Sequence, residues 1–119
     1  VARVLLVDDD PAILRLLEVT FGLEGFEILT ATRGEDAVAT AVSARPDAIV
    51  LDLMLPGLDG REVHRRLRAD PTTASIPVVF LTARTLEDDA RGLDAPFVTK
   101  PFDPTDLIET VRDQLEGIA

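Results

Sequence analysis

The sequence predicts an open α/β fold: a doubly wound, five-stranded parallel sheet with helices on both faces. Two observations carry that prediction. Short apolar runs alternate strictly with segments of helical periodicity, the pattern left by strand–helix–strand crossovers. Two of those runs, Val4 to Val7 and Ala48 to Leu51, also stop abruptly at carboxylates, Asp8 and Asp52. Acids that end otherwise apolar strands belong at the rim where open parallel sheets place their chemistry.

The elements follow in order. Five strands are predicted, near Val4 to Val7, Phe26 to Ala31, Ala48 to Leu51, Val78 to Leu81, and Phe97 to Val98. The first helix has Asp10 as N-cap and Pro11 at its first position, with Ile13, Leu16, Leu17 and Thr20 on one face and Gly22 as a stop. The second runs from about Glu35 to Ala44, rich in alanine and valine, and ends before Pro46. Asp59 caps a third, in which Val63 and Leu67 face inward while Arg61, Arg65, Arg66 and Arg68 form a solvated face and His64 is exposed. Leu86, Ala90 and Leu93 mark a short fourth helix. Leu107, Val111 and Leu115 mark a fifth that begins near Pro104.

Composition narrows the function. A chain of 119 residues makes one domain, here taken as residues 1–119, and 46% apolar content opposes disorder despite a net charge of −10. Starting at Val1 rather than Met, it reads as a piece of a longer chain. With 12 basic against 22 acidic side chains, phosphate-backbone binding to nucleic acid is not expected. The absence of cysteine excludes disulfides, thiolate catalysis and Cys-ligated metals. No apolar run approaches a membrane span and no signal-peptide pattern is present, so a cytoplasmic location is expected.

Parallel strands bring their C-terminal ends to one edge. That edge gathers Asp8 and Asp9, Asp52, Thr82 and Lys100: an acid pair, a third acid, a hydroxyl and an ammonium. Carboxylates about 4 Å apart at an effective dielectric near 20 repel by about 4 kcal/mol per pair, so something cationic must sit among them. A small hard cation such as Mg²⁺ takes oxygen ligands from one or two carboxylates, waters and phosphate oxygens. Lysine and a hydroxyl can hold the oxygens of a phosphoryl group transferred to a carboxylate. Asp10 is assigned to the helix cap, not the metal.

At these residues the chain resembles the receiver domains of two-component response regulators. The resemblance rests on four motifs in order: Leu5-Leu6-Val7-Asp8-Asp9-Asp10, Asp52 through Gly60, Phe80-Leu81-Thr82-Ala83 and Lys100-Pro101-Phe102. It covers nearly the whole chain and implies a flavodoxin-like strand order of 2-1-3-4-5. It further implies that Asp52 accepts a phosphoryl group from a phosphohistidine on a sensor histidine kinase or phosphotransfer protein, for an output domain or effector to read. The implied Mg²⁺ site is Asp9 directly, Asp8 through water, Asp52, and the backbone carbonyl of Met54. A cis bond between Lys100 and Pro101 is implied, with Thr82 and Phe97 as the switch residues. Met54 and Arg84 would flank the path of hydrolytic water, their bulk favouring a persistent acyl phosphate.

Other classes fit less well. A haloacid dehalogenase-type hydrolase needs a second acid two residues after its nucleophile, where this chain has Met54. Rossmann-type dinucleotide binding needs a glycine-rich loop after the first strand, where this chain has aspartates. A degenerate receiver serving only as a binding module is disfavoured by the complete acid, threonine and lysine set. The segment between Thr82 and Lys100 is about three or four residues shorter than the family's. That region is the family's usual output and pairing surface, so the fourth helix is expected to be shortened and pairing through it weakened.

Overall fold

The structure, a computed structural model, describes residues 1–117, with Arg84 described by its backbone alone. The elements are β1 (Arg3–Val7), α1 (Pro11–Leu23), β2 (Glu27–Ala31), α2 (Gly34–Ala44), β3 (Ala48–Asp52), α3 (Gly60–Ala69) and β4 (Val78–Ala83). A 3-10 turn (Arg84–Leu86), α4 (Glu87–Arg91), β5 (Phe97–Lys100) and α5 (Pro104–Leu115) complete the chain. All strand pairs are parallel, in the order β2-β1-β3-β4-β5 that the resemblance implies.

Side-chain alternation along each strand splits the interior into two layers. Leu5, Val7, Ile49, Leu51, Val78 and Phe80 point to the face covered by Ala37 and Ala41 of α2, Val63 and Leu67 of α3, and Ala90 of α4. Val4, Leu6, Ala48, Val50, Val79 and Leu81 point to the other, against Leu14, Leu17 and Phe21 of α1 and Leu107, Ile108 and Val111 of α5. A strand buried on both faces needs no polar alternation, which is why β1, β3 and β4 read as unbroken apolar runs.

Aspartates start three of the helices. Asp10 accepts the Ala12 amide, Asp59 those of Arg61 and Glu62, and Asp103 those of Thr105 and Asp106, satisfying donors that have no partner within the helix. α4 has no side-chain cap and buries only Ala90.

Four expectations need correction. On α1 the inward stripe is Leu14, Leu17, Thr20 and Phe21, while Leu16 is 45% exposed and Ile13 only partly covered. Both stripes satisfy helical spacing, and docking α1 beside α5 selects the one carrying the larger Phe21. His64 is buried rather than exposed, its ring 5.3 Å from that of Phe80 in an edge-on contact. Arg68 is not simply solvated: its guanidinium donates to the carbonyls of Ala74 (3.1 Å) and Ile76 (2.8 Å), tying α3 to the loop before β4. Arg61 buries its Nε and lies 3.7 Å from Asp89 of α4, whereas Arg65 and Arg66 are exposed and pair with Glu62. Finally, β3, β4 and β5 each run one or two residues further than their apolar stretches, because the backbones of Asp52, Thr82, Thr99 and Lys100 continue the ladder.

Candidate functional site

Strands β1, β3, β4 and β5 deliver the expected residues to one edge. β1 ends at Val7, and Asp8 follows immediately, its amide bonded to the Ala31 carbonyl at 3.2 Å and its side chain wholly buried. One Asp8 oxygen, Oδ1, accepts the Asp10 amide at 2.9 Å, which turns the chain toward α1. Asp9 between them is exposed. Asp52, last residue of β3, is 7% exposed, and its Oδ1 accepts the Met54 amide at 3.2 Å. Carboxylate oxygens of Asp8, Asp9 and Asp52 lie within 4.8 Å of one another.

Lys100 supplies the cation that this crowding requires. From the end of β5, preceding a cis bond to Pro101, its Nζ reaches Asp8 Oδ2 at 2.8 Å and Asp52 Oδ2 at 3.2 Å. Burial pushes the Asp52 carboxyl above its usual range and the Asp8 charge pushes it further, against the opposing pull of Lys100 and the Met54 amide. For Lys100, burial favours the neutral amine, but the bond to Asp8 and the charges of both aspartates outweigh it and raise the ammonium. The edge is a charge cluster that one lysine only partly neutralises.

The loop from β3 to α3 is held at both ends. Leu53, fully buried, donates to the Leu81 carbonyl at 2.9 Å and accepts the Gly60 amide at 3.0 Å. Gly60 has no room for a side chain: a Cβ there would lie 2.5 Å from the Asp52 carbonyl and 2.8 Å from that of Leu53. At the tip, Glu35 of α2 accepts the Leu58 amide at 2.8 Å. Sequence reasoning missed that contact, whose signal is the pair of glycines, Gly34 and Gly57, that flank it in space. The Met54 side chain, in this loop, is 55% exposed. The Arg84 side chain, expected to flank the same path, lies outside the described residues.

Thr82 and Phe97 sit just behind this edge. Thr82 is fully buried, with its hydroxyl donating to the Ala83 carbonyl at 3.2 Å. Phe97 pairs with Phe80 across β4 and β5, is partly buried, and lies under the Arg91 guanidinium, 5.7 Å from the ring centroid. Among the described residues, no helix is long and apolar enough to cross a membrane.

An open doubly wound sheet with three carboxylates and a lysine at its C-terminal edge defines a class: acidic-site α/β modules suited to a hard cation and phosphoryl oxygens. The chain belongs to the response regulator receiver domain family, whose description matches residues 4–112. Among curated proteins it is 43% identical over 114 residues to the DNA-binding dual master transcriptional regulator RpaA of Synechocystis sp., covering 92% of this chain but 47% of that protein. The chain thus spans about half the length of that relative. A response regulator structure from Chloroflexus aurantiacus superposes with a TM-score of 0.91 at 32% identity, covering 97% of this chain and 98% of that one. The receiver domain of the sensor histidine kinase PA1611 from Pseudomonas aeruginosa, solved with magnesium in its active-site cleft, superposes with a TM-score of 0.89 at 29% identity, covering 97% and 98%.

Proposed function

We propose that this receiver domain is a phosphoacceptor switch in which Asp52 takes a phosphoryl group from a phosphohistidine on a sensor histidine kinase or phosphotransfer protein. The single observation that carries the reading is the Lys100 ammonium bridging Asp8 and Asp52 beside a third carboxylate. A purely structural strand end has no use for that much like charge at one point.

The donor set fits Mg²⁺: it is all oxygen, clustered, and opens to solvent at the exposed Asp9. Asp9, Asp52 and the Met54 carbonyl would hold the ion, with Asp8 acting through water. Bound there, Mg²⁺ would screen the repulsion between an anionic carboxylate and anionic phosphoryl oxygens. An Asp52 carboxylate oxygen attacks phosphorus in line, the bond from phosphorus to the histidine nitrogen breaks, and an acyl phosphate remains. Lys100 stabilises the equatorial charge. The domain thereby assists its own phosphorylation and slow dephosphorylation without turning over an external substrate.

The signal then leaves through Thr82. Its hydroxyl must give up the Ala83 carbonyl to reach a phosphoryl oxygen, and the space it vacates lies beside the β4–β5 ladder that carries Phe97. An output domain or separate effector reads the α4–β5–α5 face, in the cytoplasm and without direct nucleic-acid contact by this domain. Incubating the chain with acetyl phosphate and MgCl₂ should add one phosphoryl mass, and Asp52→Asn should abolish the addition. Equal labelling of the variant would sink the reading.

A further inference from the structure

The base and tip of the loop carrying Met54 are secured differently. At the base, backbone groups of Leu81 and Gly60 hold both sides of Leu53. At the tip the anchor comes from another element: Glu35, in the first turn of α2, accepts the Leu58 amide at 2.8 Å through Oε1, while its Oε2 lies 3.3 Å from Arg33 Nε.

The surroundings are shaped around that carboxylate. Gly57 adopts φ +74, and a Cβ there would meet Glu35 Oε1 at 2.5 Å and an Arg33 guanidinium nitrogen at 2.8 Å. Gly34 is buried against Leu58, whose carbonyl and Cβ occupy the place of any side chain. Two glycines therefore let the loop tip close onto the start of α2, and one carboxylate links them by hydrogen bond. Bonds from its own backbone amide, then from the Leu58 amide, together with Arg33, keep the Glu35 carboxyl below its usual range against desolvation, so the acceptor stays ionised at neutral pH.

We propose that Glu35 is a positioning residue for the cation site: by holding the Leu58 amide it fixes the loop that presents the Met54 carbonyl. This rests on the reading of Asp9, Asp52 and Met54 as the Mg²⁺ ligands. An acid in the first turn of a helix also stabilises that helix by its charge alone. The two roles separate by chemistry, because glutamine keeps the Oε1 acceptor and discards the charge, whereas alanine discards both.

The chain contains neither tryptophan nor tyrosine, so MgCl₂ titrations of the full chain are best read by amide NMR and calorimetry. Glu35→Ala should weaken Mg²⁺ binding about tenfold, the low end of what loss of a group supporting a ligand costs. Glu35→Gln should stay within about twofold of the parent chain. The thermal shift produced by MgCl₂ should shrink in Glu35→Ala, beyond any loss of stability seen in EDTA. Its phosphorylation rate with acetyl phosphate should recover at saturating MgCl₂, since the loss is in affinity and not in the transfer step. Parent-like affinity in Glu35→Ala overturns the proposal. Equal weakening in the Gln and Ala variants overturns it too, because the effect would then be long-range charge. Asp9→Ala serves as the reference: if it binds Mg²⁺ like the parent chain, the ligand reading falls and the positioning role with it. If Asp9→Ala loses binding while Glu35→Ala does not, only the positioning role fails.

Discussion

The edge built by β1, β3 and β5 and the strap running from Arg84 to Pro96 lie side by side, yet they are held by different means. At the edge, Asp52 and Lys100 are strand residues whose backbones continue the ladder, and Asp8 is bonded to the adjoining end of β2. In the strap, α4 has five residues, one buried side chain and no side-chain cap, with Arg61–Asp89 and Arg91–Phe97 as contacts from its surface. The proposed transfer to Asp52 calls for fixed distances and the proposed switch for a segment with little to lose on moving, and the fold sets a ladder-held edge beside a thinly packed strap.

The largest expected effect tests the rigid half against the compliant half directly. Leu67 of α3 is 1% exposed in the same core layer against which Leu86 is only partly buried. Leu67→Ala should cost about 2–5 kcal/mol in chemical denaturation, the range for truncating a well-packed leucine. Leu86→Ala should cost about 1 kcal/mol, because part of its surface already meets water. Equal losses would mean that the strap is packed as firmly as α3.

Next in size is a pair of opposite sign at the edge. Lys100→Met leaves the buried Asp8 and Asp52 charges facing each other and should destabilise the metal-free chain by about 2 kcal/mol, below the full cost of breaking a buried pair because the lysine is 24% exposed. Asp52→Asn should raise metal-free thermal stability. The folded Asp52 carboxyl lies above its unfolded value of 3.8, so its ionised form opposes folding at neutral pH. That gain should vanish as pH falls below 3.8, where both states hold the proton. Thermal melts of both variants in EDTA across pH check the two signs.

Hydrogen exchange sharpens the comparison without a mutation. Amides from Thr85 to Leu93 should exchange far faster than those of α3 in the resting chain, and should slow when beryllofluoride, a phosphoryl mimic, engages Thr82 and Lys100. The same thin strap offers little surface for pairing, so sedimentation of the beryllofluoride-bound chain should show no strong dimer. Protection equal to that of α3 before activation would place the compliance elsewhere.

What was legible in the sequence follows the same division. The caps Asp10 and Asp59 and the meeting of Asp8, Asp9, Asp52 and Lys100 were legible because each is a strand end or helix start marked by a polar residue against an apolar run, whereas the strand order came only through the family resemblance. Three things were not legible. The facing of α1 depended on which of two valid stripes α5 would cover. The carbonyl contacts of Arg68 and the Glu35 contact with Leu58 join residues whose types, taken alone, describe solvated helix surface. His64 looked exposed because three arginines follow it closely, while its burial is set by Phe80 on a strand 16 positions away.

That buried histidine gives the smallest effect and lies on the boundary between the two halves. Among the described residues His64 Nε2 is buried with no hydrogen-bond partner, its ring set against Phe80, with Arg68 on its own helix and Asp94 in the strap as the charges felt there. Burial foremost, then Arg68, lowers its basicity below the usual 6.5, and Asp94 only partly offsets them. The folded state therefore binds a proton less readily than the unfolded one. Stability from this group is fully present above pH 6.5 and declines as pH falls from there through the folded value. Titrating the His64 ring by NMR should give a midpoint below 6.5. His64→Leu should flatten the stability profile over the same window while leaving phosphorylation of Asp52 intact. If the midpoint instead lies above 6.5, the Asp94 charge outweighs burial and Arg68, and the strap contributes to holding α3 through that charge.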